Sequence, residues 1–365
     1  MSEQTEFKLV HNKPLAEYKE AKAAGIATRP VVLGPLAFLI LGKAGREASP
    51  GFKPISLLPK LLPIYKTLLK ELKAEGVEWV QIDEPNLVMD VAEQYADQYA
   101  SAYAELSKDS PKIMLTTYFG RLGSNLPFVA KLPVGGLHID LDREPGQLGD
   151  VITAIKSTPL VLSLGLVSGR NIWKTDLTTA ANLGRKAVEA LGADRVIAAT
   201  SSSLLHTPVT LESETKLTAE QKDWFSFALQ KAGEVAVLAA TLSDSQDAKV
   251  AQLLEANKAS IAKRRAFEHN SDDAVRKRVA AITPEQLKRK SPFPTRREAQ
   301  KKHLKLPKFP TTTIGSFPVR LGSMIIVDLD IDNILANQGD PCGTCSTHQG
   351  IHHREPVQRF HQEGN

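Results

Sequence analysis

The clearest pattern of apolar and polar positions is the stretch Glu78-Trp79-Val80-Gln81-Ile82-Asp83-Glu84-Pro85. Along a strand successive side chains point to opposite faces, so Val80 and Ile82 share one side while Trp79, Gln81 and Asp83 share the other. Pro85 has no N–H to donate, and pairing ends there. A buried strand that stops at carboxylates and leads into a helix is the repeating unit of a parallel α/β barrel, whose chemistry gathers at the strands' C-terminal ends.

The same reading finds five more strands: Arg29–Leu33, Lys112–Tyr118, Gly136–Asp140, Leu160–Val167 and Arg195–Thr200. Leu160–Val167 is almost unbroken in its apolar character, as expected of a parallel strand covered on both faces. Helical periodicity runs over Leu15–Ala24, closed by Gly25, over Leu57–Glu75, stopped by Gly76, and over Ala92–Leu106. Gly34-Pro35 reads as a turn. Thr218 and Gln221 form a capping-box signature ahead of one long helix, Asp223–Ala240, on which Trp224, Phe225, Phe227 and Leu229 are spaced for core packing.

Six βα units do not close a barrel, which takes eight. The alternatives are an open doubly wound sheet and a barrel whose first two units are missing. No βα turn carries a nucleotide-binding glycine fingerprint, which favours the second. The expected fold is therefore α/β: an incomplete (βα)8 TIM-type barrel of about six units, with a C-terminal helical linker and an irregular tail. The expected segments are a partial barrel at 1–245, a basic helical linker at 246–310, a strand that opens a second domain at 311–318, and a tail at 319–365 without periodicity. The strands near Val31 and Ile197 are then expected to be unpaired edges unless the tail fills the gap.

Composition adds limits. Of 365 residues, 42% are hydrophobic, enough for a sizeable core. The acidic, polar start Met1–Glu6 is unlike a signal peptide, and the longest apolar run, Val31–Leu41, is too short to span a bilayer. Cysteine occurs only at Cys342 and Cys345, a usage that fits a reducing, cytoplasmic setting. The net charge of +5 is unevenly spread: Lys258–Lys308 holds 16 Lys/Arg against 5 Asp/Glu, so the rest of the chain is net acidic. Aromatics are not interleaved with these cations, so a solvated connector is favoured over a nucleic-acid contact.

Polar side chains at the strand ends define the candidate site. The cluster of interest is Asp83, Glu84, His138, Asp140, Arg170 and His206. Asp83 or Glu84 suits a general base, and Arg170 suits an anion. The competing reading is a hydrogen-bonded polar layer. His138 and Asp140 at i, i+2 invite a metal, yet the body offers no thiol ligand, and a satisfied polar layer is the preferred reading. Ser201–Ser203 near His206 lack a nucleophile-elbow motif. In the tail, Cys342 and Cys345 with His348, His352, His353 and His361 have zinc-ligand chemistry without the apolar surroundings of a small zinc fold.

Several ordered stretches resemble a known family. They include Arg29–Pro35, Val80–Pro85, Leu115–Phe119, Leu137–Asp140, Gly169–Trp173, Ser201–Pro208, Trp224–Ala228 and Pro310–Pro318. Over about Phe7–Pro318 the chain is similar to the N-terminal half of cobalamin-independent methionine synthases of fungal type. The resemblance implies two face-to-face (βα)8 barrels. It also implies methyl transfer from 5-methyltetrahydropteroyltriglutamate to homocysteine in methionine biosynthesis.

In that family zinc sits in the C-terminal barrel on His, Cys, Glu and Cys, and holds the homocysteine sulfur as a thiolate. The N-terminal barrel is scaffold and helps to hold the folate tail. The expectation is that the first two units lie upstream of Met1 and that the likeness stops at Pro318, so this chain carries no metal site and no catalytic residue of the reaction. Ile314, Gly315 and Ser316 match the turn that contacts the amino-acid part of homocysteine or methionine. The chain is expected to be a monomer with no nucleic-acid or membrane partner. The alternative is a non-catalytic barrel fragment or truncated gene product with a structural or interaction role only.

Overall fold

The computed structural model describes residues 1–267 and 272–311. The chain forms two compact units, Met1–Asp273 and Ala274–Asn365. The first begins with helix α1 (Lys13–Ala23), strand β1 (Val31–Leu33), α2 (Pro35–Leu41), α3 (Leu58–Ala74) and β2 (Trp79–Asp83). It continues through α4 (Ala96–Leu106), β3 (Lys112–Thr116), α5 (Leu126–Val129), β4 (Gly136–Asp140), α6 (Leu148–Ile155) and β5 (Val161–Val167). Then come α7 (Leu177–Leu191), β6 (Val196–Thr200), α8 (Ala219–Trp224), α9 (Ala228–Leu242) and α10 (Ala248–Ala266). Helix α11 (Asp273–Ala280) leads into the second unit, which also carries α12 (Phe293–Leu304).

The six strands form one parallel sheet in sequence order, β1-β2-β3-β4-β5-β6. Among the described residues β1 pairs only with β2 and β6 only with β5. One face of each strand packs under helices. On β2, Val80 and Ile82 are fully buried, while Trp79, Gln81 and Asp83 are half-buried. Helix α3 supplies a stripe at helical spacing, Leu58, Leu61, Tyr65, Leu68, Leu69 and Leu72, all buried in the core. The Tyr65 hydroxyl at its centre donates to the Leu33 carbonyl at 2.7 Å. Helices α7 and α9 approach closely at Gly184, where a Cβ would meet the Leu242 side chain at 2.6 Å.

Two local readings are corrected. Gly34-Pro35 opens α2, with Pro35 in the first turn, where a missing N–H costs nothing. The expected helix Asp223–Ala240 is two helices, α8 and α9. The capping box at Thr218 and Gln221 is present, but the chain turns extended at Phe225. There Lys174 N–H donates to Trp224 O at 3.0 Å and Ser226 N–H donates to Ile172 O at 2.8 Å. Pairing with residues 172–174 outweighs local helix propensity, and Leu229 ends exposed while Phe227 is buried. The readings at 312–318 and in the tail lie outside the described residues. Among the described residues no helix is long and apolar enough to cross a membrane.

Candidate functional site

The strand registers bring single residues from all six strands into one row. Leu33 pairs with Asp83, Asp83 with Thr116, Thr116 with His138, His138 with Ser163, and Ser163 with Ile197. Four consecutive members, Asp83 to Ser163, are polar. All four line a cavity of about 660 Å³, which Val31 of β1 and Ile197 of β6 also line. The first and last strands thus face the same space.

Asp83 lies at the C-terminal end of β2. Its Oδ1 accepts from the Gln81 amide at 2.8 Å and its Oδ2 from the Tyr118 hydroxyl at 3.3 Å. Burial raises its carboxyl above the usual range, against the pull of those two donors. His138 is buried, with Nδ1 2.9 Å from Ser163 Oγ and Nε2 3.5 Å from the Ser201 carbonyl oxygen. Burial pulls its pKa down to about 4, so the ring is neutral at neutral pH. A neutral ring facing a carbonyl carries its proton on Nε2, and Nδ1 then accepts from the serine. Room for this pair comes from Gly165, where a Cβ would lie 2.7 Å from Ser201 Cα and 3.2 Å from His138 Cε1.

Glu84 does not join this row. It has the parity of Val80 and Ile82 and is fully buried behind the sheet. Its carboxyl oxygens accept from the Leu36 and Ala37 amides at 3.2 and 2.7 Å, and from the Tyr103 and Tyr99 hydroxyls at 3.1 and 3.4 Å. Desolvation dominates these donors and pushes its pKa up to about 8. Glu84 ties α2 and α4 to β2.

Asp140 is likewise committed to the backbone. Oδ1 accepts from Asp142 and Arg143 N–H at 3.1 and 2.8 Å, and Oδ2 accepts from Phe119 N–H at 2.9 Å. Phe119, half-buried, holds the remaining candidates together. The Arg170 guanidinium lies 4.8 Å from its ring centroid and the His206 ring lies 6.3 Å away. Arg170 and His206 are both exposed. The serines are spread over separate tasks: Ser201 Oγ accepts from Gly169 N–H at 3.1 Å, and Ser203 Oγ accepts from Leu205 N–H at 3.3 Å.

Zinc does not fit the ligands this unit offers. Both nitrogens of His138 face protein atoms, and both oxygens of Asp140 hold backbone amides. Among the described residues no three His, Cys, Asp or Glu side chains gather as a metal site. The turn Ile314-Gly315-Ser316 and the tail cysteines lie outside the described residues. Neither Ser163 nor Phe119 stands out in the sequence as a site residue. Ser163, a lone hydroxyl inside an apolar strand, was the available signal; the positive φ of Phe119 (73°) leaves no trace in composition.

The family model described as "Cobalamin-independent synthase, N-terminal domain" matches residues 1–191. The 5-methyltetrahydropteroyltriglutamate–homocysteine methyltransferase of Candida albicans is 51% identical over 321 residues, covering 87% of this chain and 41% of that protein. The enzyme of that name from Saccharomyces cerevisiae is 49% identical over 319 residues, with the same coverage of 87% and 41%. A solved structure of a B12-independent methionine synthase from Shewanella sp. W3-18-1 is similar at a TM-score of 0.47 and 15% identity, over 67% of this chain and 68% of that one. The chain thus spans about 41% of the length of these curated relatives. It belongs to the cobalamin-independent methionine synthase family, through that family's N-terminal domain.

Proposed function

We propose that this chain is the scaffold half of a zinc-dependent methyltransferase that makes methionine from homocysteine and 5-methyltetrahydropteroyltriglutamate. The observation that carries the reading is the 51% identity, sustained over 321 residues, to a protein named for that reaction. The hydrogen bonding of the strand-end cluster agrees with it. Asp83, Glu84, His138 and Asp140 are each held by protein groups, as a structural polar layer requires. The metal that would activate homocysteine belongs, on this reading, to a different barrel, and the turn Ile314-Gly315-Ser316 is the part of this chain that reaches its substrate.

The six-stranded sheet is read as a (βα)8 barrel short of two units. Strands in sequence order, all parallel, with both edge strands facing one cavity, support that reading. The proposed segments remain a partial barrel at 1–245, a linker at 246–310, a first strand of the catalytic barrel at 311–318, and a tail at 319–365. A monomer in the cytoplasm, without nucleic-acid or membrane partners, completes the proposal.

The test is an assay of the purified chain with zinc, homocysteine and the triglutamate methyl donor. No methionine should form. Turnover by the chain alone would overturn the scaffold reading.

A further inference from the structure

Arg29 stands two positions before Val31, and Val31 pairs with Gln81, so Arg29 enters the sheet level with Trp79. It is half-buried and lines the polar-row cavity of about 660 Å³, together with two more of about 730 and 250 Å³. Its guanidinium lies 5.9 Å from the Trp79 ring centroid. Among the described residues it makes no hydrogen bond and no ion pair. Arg195, just before β6 at the opposite edge, shows the contrast. Its guanidinium donates to the carbonyl oxygens of Ile155, Lys156 and Leu160 at 3.0 to 3.3 Å.

A guanidinium half withdrawn from water and given no acceptor loses hydration without compensation. Burial pulls the Arg29 pKa down, and no carboxylate opposes that pull. Asp83, the carboxylate in the lining, is held by Gln81 and Tyr118. It also stands four residues beyond Trp79 on β2, roughly 13 Å along the strand. Arg29 lies near enough to His138 to oppose protonation of that ring. With His138 neutral, Arg29 is the one full positive charge among the described residues that line this cavity. Val31, Met114, Ile197 and Leu205 give the same cavity apolar wall.

We propose that this cavity binds a small monocarboxylate with an apolar body, held by Arg29. The carboxylate oxygens accept from the Arg29 guanidinium, and the body lies against Val31, Met114 and Ile197. The fit is chemical: a guanidinium presents five donors in a planar fork that matches the two oxygens of a carboxylate. A neutral amide of the same shape lacks the charge, and an ammonium is repelled by Arg29. The cavity is large enough for a ligand of this size. The inference is independent of the proposed methyltransferase reading, and its failure would leave that reading untouched.

The test is calorimetric titration of the full chain with benzoate, benzamide and benzylamine at one fixed ionic strength. Benzoate should bind saturably and at least roughly tenfold more tightly than the other two. Arg29→Gln should abolish that preference, and its unfolding midpoint should not fall, because no ion pair is lost. Lys186→Gln, at an exposed position on α7, removes a cation elsewhere and should keep the parent affinity. Benzoate should also change the tryptophan fluorescence of the parent, and Trp79→Phe should lose that change while still binding benzoate. Absence of saturable benzoate binding, equal binding of the amide or the amine, or full affinity in folded Arg29→Gln would each overturn the proposal. So would an equal loss in Lys186→Gln, or a fluorescence response that survives in Trp79→Phe.

Discussion

The Glu84 carboxyl occupies the space that a side chain at Gly34 would fill: a Cβ there would overlap the Glu84 carboxyl atoms. Gly34 caps α2, and Glu84 accepts from that helix's Leu36 and Ala37 amides. The glycine is thus required by close approach, since its φ of −67° suits any residue. Gly34→Ala should displace the carboxyl from its four donors and destabilise the first unit by about 2–3 kcal/mol, read from urea midpoints. A loss under about 0.5 kcal/mol would show that Glu84 finds another satisfied position.

Glu84 and His138 set opposite pH responses. The Glu84 pKa rises from 4.5 to about 8 on folding, so the folded chain binds the extra proton between those values and stability falls as pH rises through that window. The His138 pKa falls from 6.5 to about 4, so the unfolded chain binds the extra proton there and stability falls as pH drops from 6.5 toward 4. The histidine contribution is about 3 kcal/mol at most. Glu84→Gln should flatten the loss between pH 6.5 and 8, and His138→Gln should flatten the loss below pH 6.5. Unfolding titrations at several pH values check both. A variant that keeps the parent slope in its own window would remove that residue as the cause.

Much of this arrangement was legible in residue order. Alternation at Val80, Gln81, Ile82 and Asp83 located β2 and its two faces, and the apolar run at Leu160–Val167 marked a strand covered on both sides. Parity alone also separates Glu84 from Asp83, although both stand at one strand end. Register was not legible. That Asp83, Thr116, His138 and Ser163 form one row depends on how neighbouring strands slide, which helix packing decides. The break of α8 from α9 was hidden for a similar reason. It rests on contacts with residues 172–174, some fifty positions earlier, and no local signal at Phe225 announces it.

Phe119 carries a backbone conformation that glycine prefers. Its φ is 73°, its amide donates to Asp140, and its ring meets Tyr118, Arg170 and His206. A left-handed conformation costs an ordinary residue about 1–2 kcal/mol. Phe119→Ala loses the ring contacts and keeps the strain, whereas Phe119→Gly loses the ring and sheds the strain. The glycine variant should therefore be more stable than the alanine variant by about 1 kcal/mol, despite glycine's greater unfolded-state entropy. Thermal melts of the pair decide it, and the reverse order would mean that the backbone relaxes to negative φ without the ring.

The β1 edge should govern aggregation of this proposed monomer at high concentration. Among the described residues β1 pairs on one side only, and its Val31 and Leu33 are 51% and 39% exposed. A free edge offers unpaired backbone groups, and apolar side chains beside it favour docking of another strand. Charge at such an edge opposes docking, because a lysine in a strand–strand interface must be desolvated. Val31→Lys places a cation at the exposed edge, with little core contact to lose. It should reduce concentration-dependent association seen by light scattering while leaving the unfolding midpoint within about 0.5 kcal/mol of the parent. Lysine at Val275, which is 51% exposed on α11, is the matched control for added charge away from the edge. If both substitutions lower scattering equally, net charge explains the effect and the edge does not; if only Val31→Lys does, the open side of β1 is the surface through which copies of the chain meet.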